Sequence, residues 1–245
     1  MPACIPAAIP AAMIVFEIAY KHPYAIRRSS QKAIAIGRLA ADHVKDLTLC
    51  LHAATLKHMN RWTVSPGQTG YAIDDARTSY PCIIGKSGLI DAAAKREGDM
   101  ATPLGSWVMR CVYFRPDRTA APVTDLPTYP LSADLGWCDD PGDAAYNQLV
   151  RRPYPGRHEQ LWREDERYDL LVVLGHNDAP PIAGLGSAIF FHLCTKDTEF
   201  TAGCVAVLRD HMIEILANSS RDMALVITVW RPPSHCPFNA PSPAQ

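Results

Sequence analysis

Two residue types that can cooperate as nucleophile and base stand close together in the stretch from Gly184 to Val207. His192 ends an apolar run, and Cys204 follows a polar loop that returns through Thr201, Ala202 and Gly203. The spacing of twelve positions between them suits two adjacent strand ends joined by a loop, as in a hairpin, with imidazole and thiol side by side. An imidazole so placed takes the thiol proton or stabilises the thiolate, and the thiolate is the nucleophile. Gly203 lets a substrate approach the backbone closely, and the amides of Gly203 and Cys204 are candidates for holding a developing oxyanion. Among the eight cysteines only Cys204 follows a glycine with a histidine at this distance, so it is expected to be the one strongly activated thiol. Residue type and spacing alone are equally met by a core histidine beside a buried cysteine.

Other chemistry-bearing residues cluster more loosely. His176 and Asn177 follow the apolar run Tyr168–Gly175, where they either line the same cleft or stabilise a turn. His158 and Glu159 can bind substrate or orient a loop, but they fall in the charge-rich run Arg157–Asp169, the pattern of a solvated face. Asp139 and Asp140 precede Pro141, which suits either an encounter with a cationic group or an ordinary turn. Cys194 lies two residues beyond His192, hence on the same side of a strand, and raises a zinc site shared with Cys204. No pair of ligands has structural-zinc spacing, and there is no Cys-x-x-Cys, so no metal and no cofactor is assigned.

The elements expected to position these residues are mostly strands. After Trp62 the chain breaks into short apolar runs punctuated by Pro, Gly, Asp and Asn, the pattern of an all-β sandwich or barrel with long loops. The best strand candidates are Pro81–Gly85, Ser106–Phe114, Tyr168–Gly175, Ser187–Leu193 and Ala224–Trp230, with one helix over Arg209–Asn218. Between Arg115 and Arg167 seven prolines and little periodicity predict a long decorated insertion. Proline is abundant overall, 21 of 245 residues or about 8.6% against a usual value near 5%, which argues against a helical bundle. Ahead of this, Ile36, Ala40, Val44, Leu47, Leu51 and Ala54 recur at helical spacing within the proline-free stretch Gln31–Asn60. The division expected is an N-terminal extension over 1–61 with no assigned chemistry, a catalytic domain over 62–231 and a proline-rich tail over 232–245. Lysine plus arginine less aspartate plus glutamate is 24 − 25 = −1, so nothing in the charge invites nucleic acid or an anionic membrane. The apolar run Cys4–Tyr20 is broken by Pro6 and Pro10 and charged at Glu17, making a poor signal peptide and a worse membrane span.

The string His192 … Thr201-Ala202-Gly203-Cys204 resembles the signature of the L,D-transpeptidase (YkuD-like) family, a strand-end histidine followed by Ser/Thr-x-Gly-Cys and an apolar strand. Flanking blocks strengthen the resemblance to a divergent branch with Thr-x-Gly-Cys-Val-Ala: Lys95-Arg96-Glu97-Gly98-Asp99, Thr102-Pro103-Leu104-Gly105, Trp137-Cys138-Asp139-Asp140, Tyr146-Asn147, His158-Glu159-Gln160-Leu161-Trp162 and Leu174-Gly175-His176-Asn177. It spans about residues 80–231. The resemblance implies a mainly β protein, a β-sandwich of the L,D-transpeptidase catalytic type with long loops and few helices. It also implies a cysteine acyl-transfer site acting on peptidoglycan stem peptides in the cell envelope or periplasm. Cys204 is then nucleophile and His192 base, the Gly203 and Cys204 amides hold the oxyanion, and Thr201, His176 and Asn177 are candidates for substrate binding. Familiar members carry His where Ala202 stands, Gly where Leu193 stands and Arg where Ala206 stands. The missing arginine leaves a donor carboxylate in need of another anchor, for which Lys95 and Arg96 are favoured over Arg163. Alternatives are an L,D-carboxypeptidase, another cysteine cell-wall peptidase or amidase, and a catalytically silent cell-wall-binding module.

Overall fold

The computed structural model describes residues 61–75 and 77–230. The helix expected over Gln31–Asn60 and the proline-rich tail from Pro232 lie outside the described residues. Within them the protein is mainly β. The strands are β1 (Arg61–Pro66), β2 (Tyr71–Asp74), β3 (Ser79–Cys82), β4 (Leu89–Ile90), β5 (Thr102–Pro103), β6 (Gly105–Phe114), β7 (Thr128–Pro130), β8 (Leu135–Cys138), β9 (Leu149–Arg151), β10 (His158–Gln160), β11 (Leu170–Leu174), β12 (Phe190–Leu193), β13 (Val205–Val207) and β14 (Ala224–Ile227). Helix α1 (Arg209–Ala217) is the one α-helix among the described residues.

The main sheet runs β13-β12-β11-β6-β14-β1-β2-β3, with β7 alongside β6. Its two ends meet where Ile83, just past β3, exchanges 2.8 Å backbone bonds in both directions with Ala206 of β13, so the sheet curls nearly shut. Period-2 alternation then sorts side chains between an inside and an outside. On β11, Leu170, Val172 and Leu174 enter the inner core with Trp62, Ile73 and Phe191, and Met212, Ile215 and Leu216 of α1 join them. Leu171 and Val173 instead join the outer cluster with Trp137, Leu161 and Phe190.

That outer cluster is closed by a second sheet, β10-β8-β9, formed within the segment expected to be an irregular insertion. Trp137 of β8 meets Phe190 of β12 edge-on, ring centroids 5.2 Å apart. These strands were illegible because they are only three or four residues long and their prolines sit between them. A bulge in β6 adds a further irregularity: Val173 opposes Cys111 but Leu174 opposes Met109, leaving Arg110 as the extra residue. Freed from the ladder, Arg110 reaches Asp178 beyond β11 at 2.8 Å.

Candidate functional site

His192 and Cys204 are neighbours, but not across a hairpin. β12 and β13 pair in parallel, with Phe191 opposite Val205 and His192 opposite Ala206. Cys204 therefore sits one step before β13 at the level of Phe190, whose N–H donates to Sγ over 3.3 Å. Because Phe190 and His192 share the outer face of β12, thiol and imidazole open on the same side of the sheet, into one cleft of about 390 Å³.

The thiol is at rest rather than activated. Its Sγ–H donates to the Ala188 carbonyl at 3.2 Å, and only 7% of the residue is exposed. Burial pushes the Cys204 thiol up to about 12, with the charge of Glu159 adding to the effect and the Phe190 N–H and Lys95 opposing it. Spacing reports proximity, whereas ionisation answers to desolvation, which in the resting site favours the neutral thiol. Burial likewise lowers His192 to about 4, assisted by the fields of Arg167 and Arg163. Its Nδ1 lies 2.8 Å from the Leu193 carbonyl, a bond only an N–H can make, so the lone pair stays on Nε2. The Tyr168 ring meets the imidazole edge-on at 5.3 Å and limits its rotation.

The loop that presents Cys204 is tied down from three sides. Thr201 Oγ1 donates to the Cys204 carbonyl at 2.7 Å and accepts from the Gly203 N–H at 3.1 Å, so that amide is already committed within the turn. Of the two amides considered for an oxyanion, this leaves the Cys204 N–H. Thr102, fully buried on β5, donates to the Gly203 carbonyl at 2.8 Å and accepts from the Gly85 N–H at 2.8 Å. Glycine is required at 203: φ is +136°, and a Cβ would come within 2.9 Å of the Ala101 carbonyl. Asn147 fixes the other wall. Its Oδ1 accepts from Trp137 Nε1 (2.9 Å) and the Ala188 N–H (3.0 Å), and its Nδ2 donates to the carbonyls of His176 (3.1 Å) and Asn177 (2.7 Å). The position of the carbonyl that receives the thiol thus depends on Asn147. The sequence blocks around Thr102 and Asn147 carry this role, and only their hydroxyl and amide types hinted at it.

The remaining candidates separate clearly. Lys95 lines the cleft but is buried, with Nζ bound to Asp99 at 2.5 Å and to the Arg96 carbonyl at 3.0 Å. Arg96 is exposed, and its guanidinium donates to the Ala93 and Lys95 carbonyls at 3.0 and 2.7 Å, away from the cleft lining. His176 is buried against Trp107, with Nε2 3.1 Å from the Leu185 carbonyl, and does not line the cleft. Asn177, at φ +50°, spans its own loop by bonds to Ile182 and Gly186. For His176 and Asn177 the turn-stabilising alternative describes the geometry. Arg163 and Glu159, read as parts of a solvated face, both line the cleft instead. No group of three or more His, Cys, Asp or Glu among the described residues is arranged to hold a metal ion.

The model of the L,D-transpeptidase catalytic domain family, YkuD, matches residues 59–227, well over half of the chain and nearly all of the described fold. The chain belongs to this family. None of the curated proteins compared with it matches. The match begins within two residues of β1 and ends at the last residue of β14, so the family's catalytic domain and the nearly closed sheet coincide. No helix among the described residues is long and apolar enough to cross a membrane.

Proposed function

We propose that this L,D-transpeptidase-family domain is a cysteine acyltransferase acting on peptidoglycan stem peptides. One observation carries the reading: Cys204 and His192 open into the same cleft, with the imidazole fixed as the tautomer that leaves the Nε2 lone pair free. A donor stem enters with its scissile carbonyl at Sγ. Displacing the Ala188 contact frees the thiol, whose proton passes to Nε2 as sulfur attacks the carbonyl of the L-centre in the diamino-acid residue. The Leu193 carbonyl stabilises the imidazolium so formed, and the Cys204 N–H meets the developing oxyanion. Return of the proton to the departing D-amino acid leaves a thioester on Cys204. An amine of a second stem then displaces the sulfur, making the cross-link. Such a substrate assigns the domain to the cell envelope.

Holding proton transfer back until substrate arrives fits the resting state, in which both partners are neutral at pH 7. The bound substrate supplies the carbonyl that takes up the sulfur's charge as it develops, so no free thiolate stands in the dry cleft. Lys95 holds the Asp99 turn of the cleft wall rather than standing free as an anchor, and Arg163 and Arg167 are the remaining cations on the lining. The test is incubation with a tetrapeptide stem and mass analysis of the products. Release of D-alanine with a cross-linked dimer is expected. Release with only the shortened stem makes the domain an L,D-carboxypeptidase, and no release with any stem refutes acyl transfer here.

A further inference from the structure

The cleft contains a carboxylate that the mechanism above leaves unused. Glu159 stands on β10 opposite Trp137 and lines the cleft together with Cys204 and His192. Its Oε1 accepts the Tyr168 hydroxyl at 2.5 Å. Tyr168 is the same ring that braces His192, so Glu159 is rigidly registered to the catalytic pair. It is close enough that its charge opposes ionisation of the Cys204 thiol.

What Glu159 lacks is a salt bridge. The nearby guanidinium of Arg163 is taken by Asp165 at 2.6 Å, Arg167 shares that same carboxylate, and Lys95 is taken by Asp99. The other two carboxylates on the lining are accounted for. Asp139 pairs with Arg157 at 3.1 Å, and Glu97 receives two hydroxyls, from Tyr146 at 2.5 Å and Ser187 at 2.8 Å. Among the described residues no ion pair includes Glu159. A desolvated carboxylate outside any ion pair is costly to keep and is characteristic of sites where a ligand completes the pairing. Burial raises the Glu159 pKa; the Tyr168 hydroxyl and the charge of Arg163 oppose the rise, and the charges of Asp139 and Glu97 add to it.

Resting on the acyl-transfer reading, the geometry points to Glu159 as the seat and proton acceptor of the attacking amine of the second stem. The amine arrives as an ammonium and pairs with the carboxylate beside the thioester. One proton passes from nitrogen to Glu159, and the neutral amine attacks the thioester carbonyl. The N–C bond forms, the C–S bond breaks, and the second nitrogen proton reaches the departing sulfur through His192, regenerating the thiol. Glu159 then releases its proton to water. The substrate class is a primary aliphatic amine on a peptide, such as the side chain of a diamino acid.

Glu159→Gln tests this, since the amide oxygen can still accept from Tyr168 and preserve the wall. Wild type and variant are charged with a tetrapeptide donor, and the thioester is discharged either by a stem tripeptide with a free side-chain amine or by hydroxylamine, which is neutral near pH 7. Cross-linking by the tripeptide is expected to fall about 10- to 100-fold in the variant, the loss of a charge-assisted bond. Thioester formation is expected not to fall, since losing the Glu159 charge eases ionisation of Cys204, and hydroxylamine discharge is expected to stay within about threefold. Equal loss with both nucleophiles, or unchanged cross-linking, overturns the proposal. Should wild type form no thioester, the acyl-transfer reading fails, and Glu159 is judged by calorimetry of the tripeptide against its N-acetylated form. A wild-type preference for the free amine that disappears in Glu159→Gln then supports the amine seat, and a preference that persists, or none in wild type, overturns it.

Discussion

Phe191 and His192 are consecutive residues of one strand and belong to two different proteins in all but sequence. Phe191 is fully buried in the inner core, which it shares with side chains from β1, β2, β11 and α1. His192 is almost as buried, at 5% exposure, yet it faces the outer side, where polar groups and a cleft replace part of the apolar packing. The inner face supplies cohesion; the outer face spends some of it on a neutral imidazole, a neutral thiol and an unpaired carboxylate. Alternation along β12 is what lets a rigid core sit next to groups whose charges change in the proposed reaction.

If the two faces have these separate duties, substitutions on them should fail in different ways. The largest effect is expected from Cys204→Ala, which should abolish turnover while the melting temperature stays close to wild type, since only one small side chain is trimmed. His192→Gln should cost about 10²–10⁴-fold in acylation, the range for a positioned acid-base group, with the folded fraction retained. Phe191→Ala should reverse the pattern, losing about 3–5 kcal/mol of stability by denaturant titration while activity per folded molecule changes little. A smaller effect, about 1–3 kcal/mol, is expected for Thr102→Val, because the Gly85 N–H and Gly203 carbonyl lose their buried partner. Its activity should drop as well, since the loop it braces carries Cys204.

The outer face should also show itself in acid. His192 is held near 4 in the folded state against 6.5 when unperturbed, so between those values the unfolded chain binds more protons than the native one. Stability is therefore full above about pH 6.5 and falls as pH drops towards 4, by up to about 3 kcal/mol from this group. His192→Gln should flatten that part of the pH profile; Phe191→Ala should shift the whole profile without changing its slope there.

The two faces differed in how far they could be read from the sequence. Long apolar runs such as Leu170–Leu174 and Phe190–Leu193 announced the strands of the main sheet, and α1 was marked by Met212, Ile213 and Leu216, although Ile213 is exposed and Ile215 is the third buried residue. The first two strands went unrecognised. Arg61–Pro66 and Tyr71–Asp74 carry proline, charge and small residues, and they gain strand structure from parallel pairing with β14 and antiparallel pairing with β3. The outer sheet was hidden because its strands are very short and are stabilised by packing on Phe190 and Tyr168, contacts with no local signature. For the site, the proposed nucleophile and base stood out by residue type, spacing and family resemblance. Glu159 was half legible: it was weighed as a substrate-binding residue, but the charges around it matched a solvated face, and the fold instead places Glu159, Arg163, Arg167 and Tyr168 of that run on the cleft lining. The parallel pairing of β12 and β13 was invisible, since a twelve-position spacing fits a hairpin as well as a crossover.

The central claim, that Cys204 carries the acyl group, is tested most directly by rapid acid quenching of wild type after mixing with a tetrapeptide stem, followed by intact mass and peptide mapping. The account predicts a mass increase equal to the stem less its terminal D-amino acid, confined to the peptide containing Cys204 and absent from Cys204→Ala. An adduct on Cys194 or Cys138, or turnover that continues in Cys204→Ala, would contradict it.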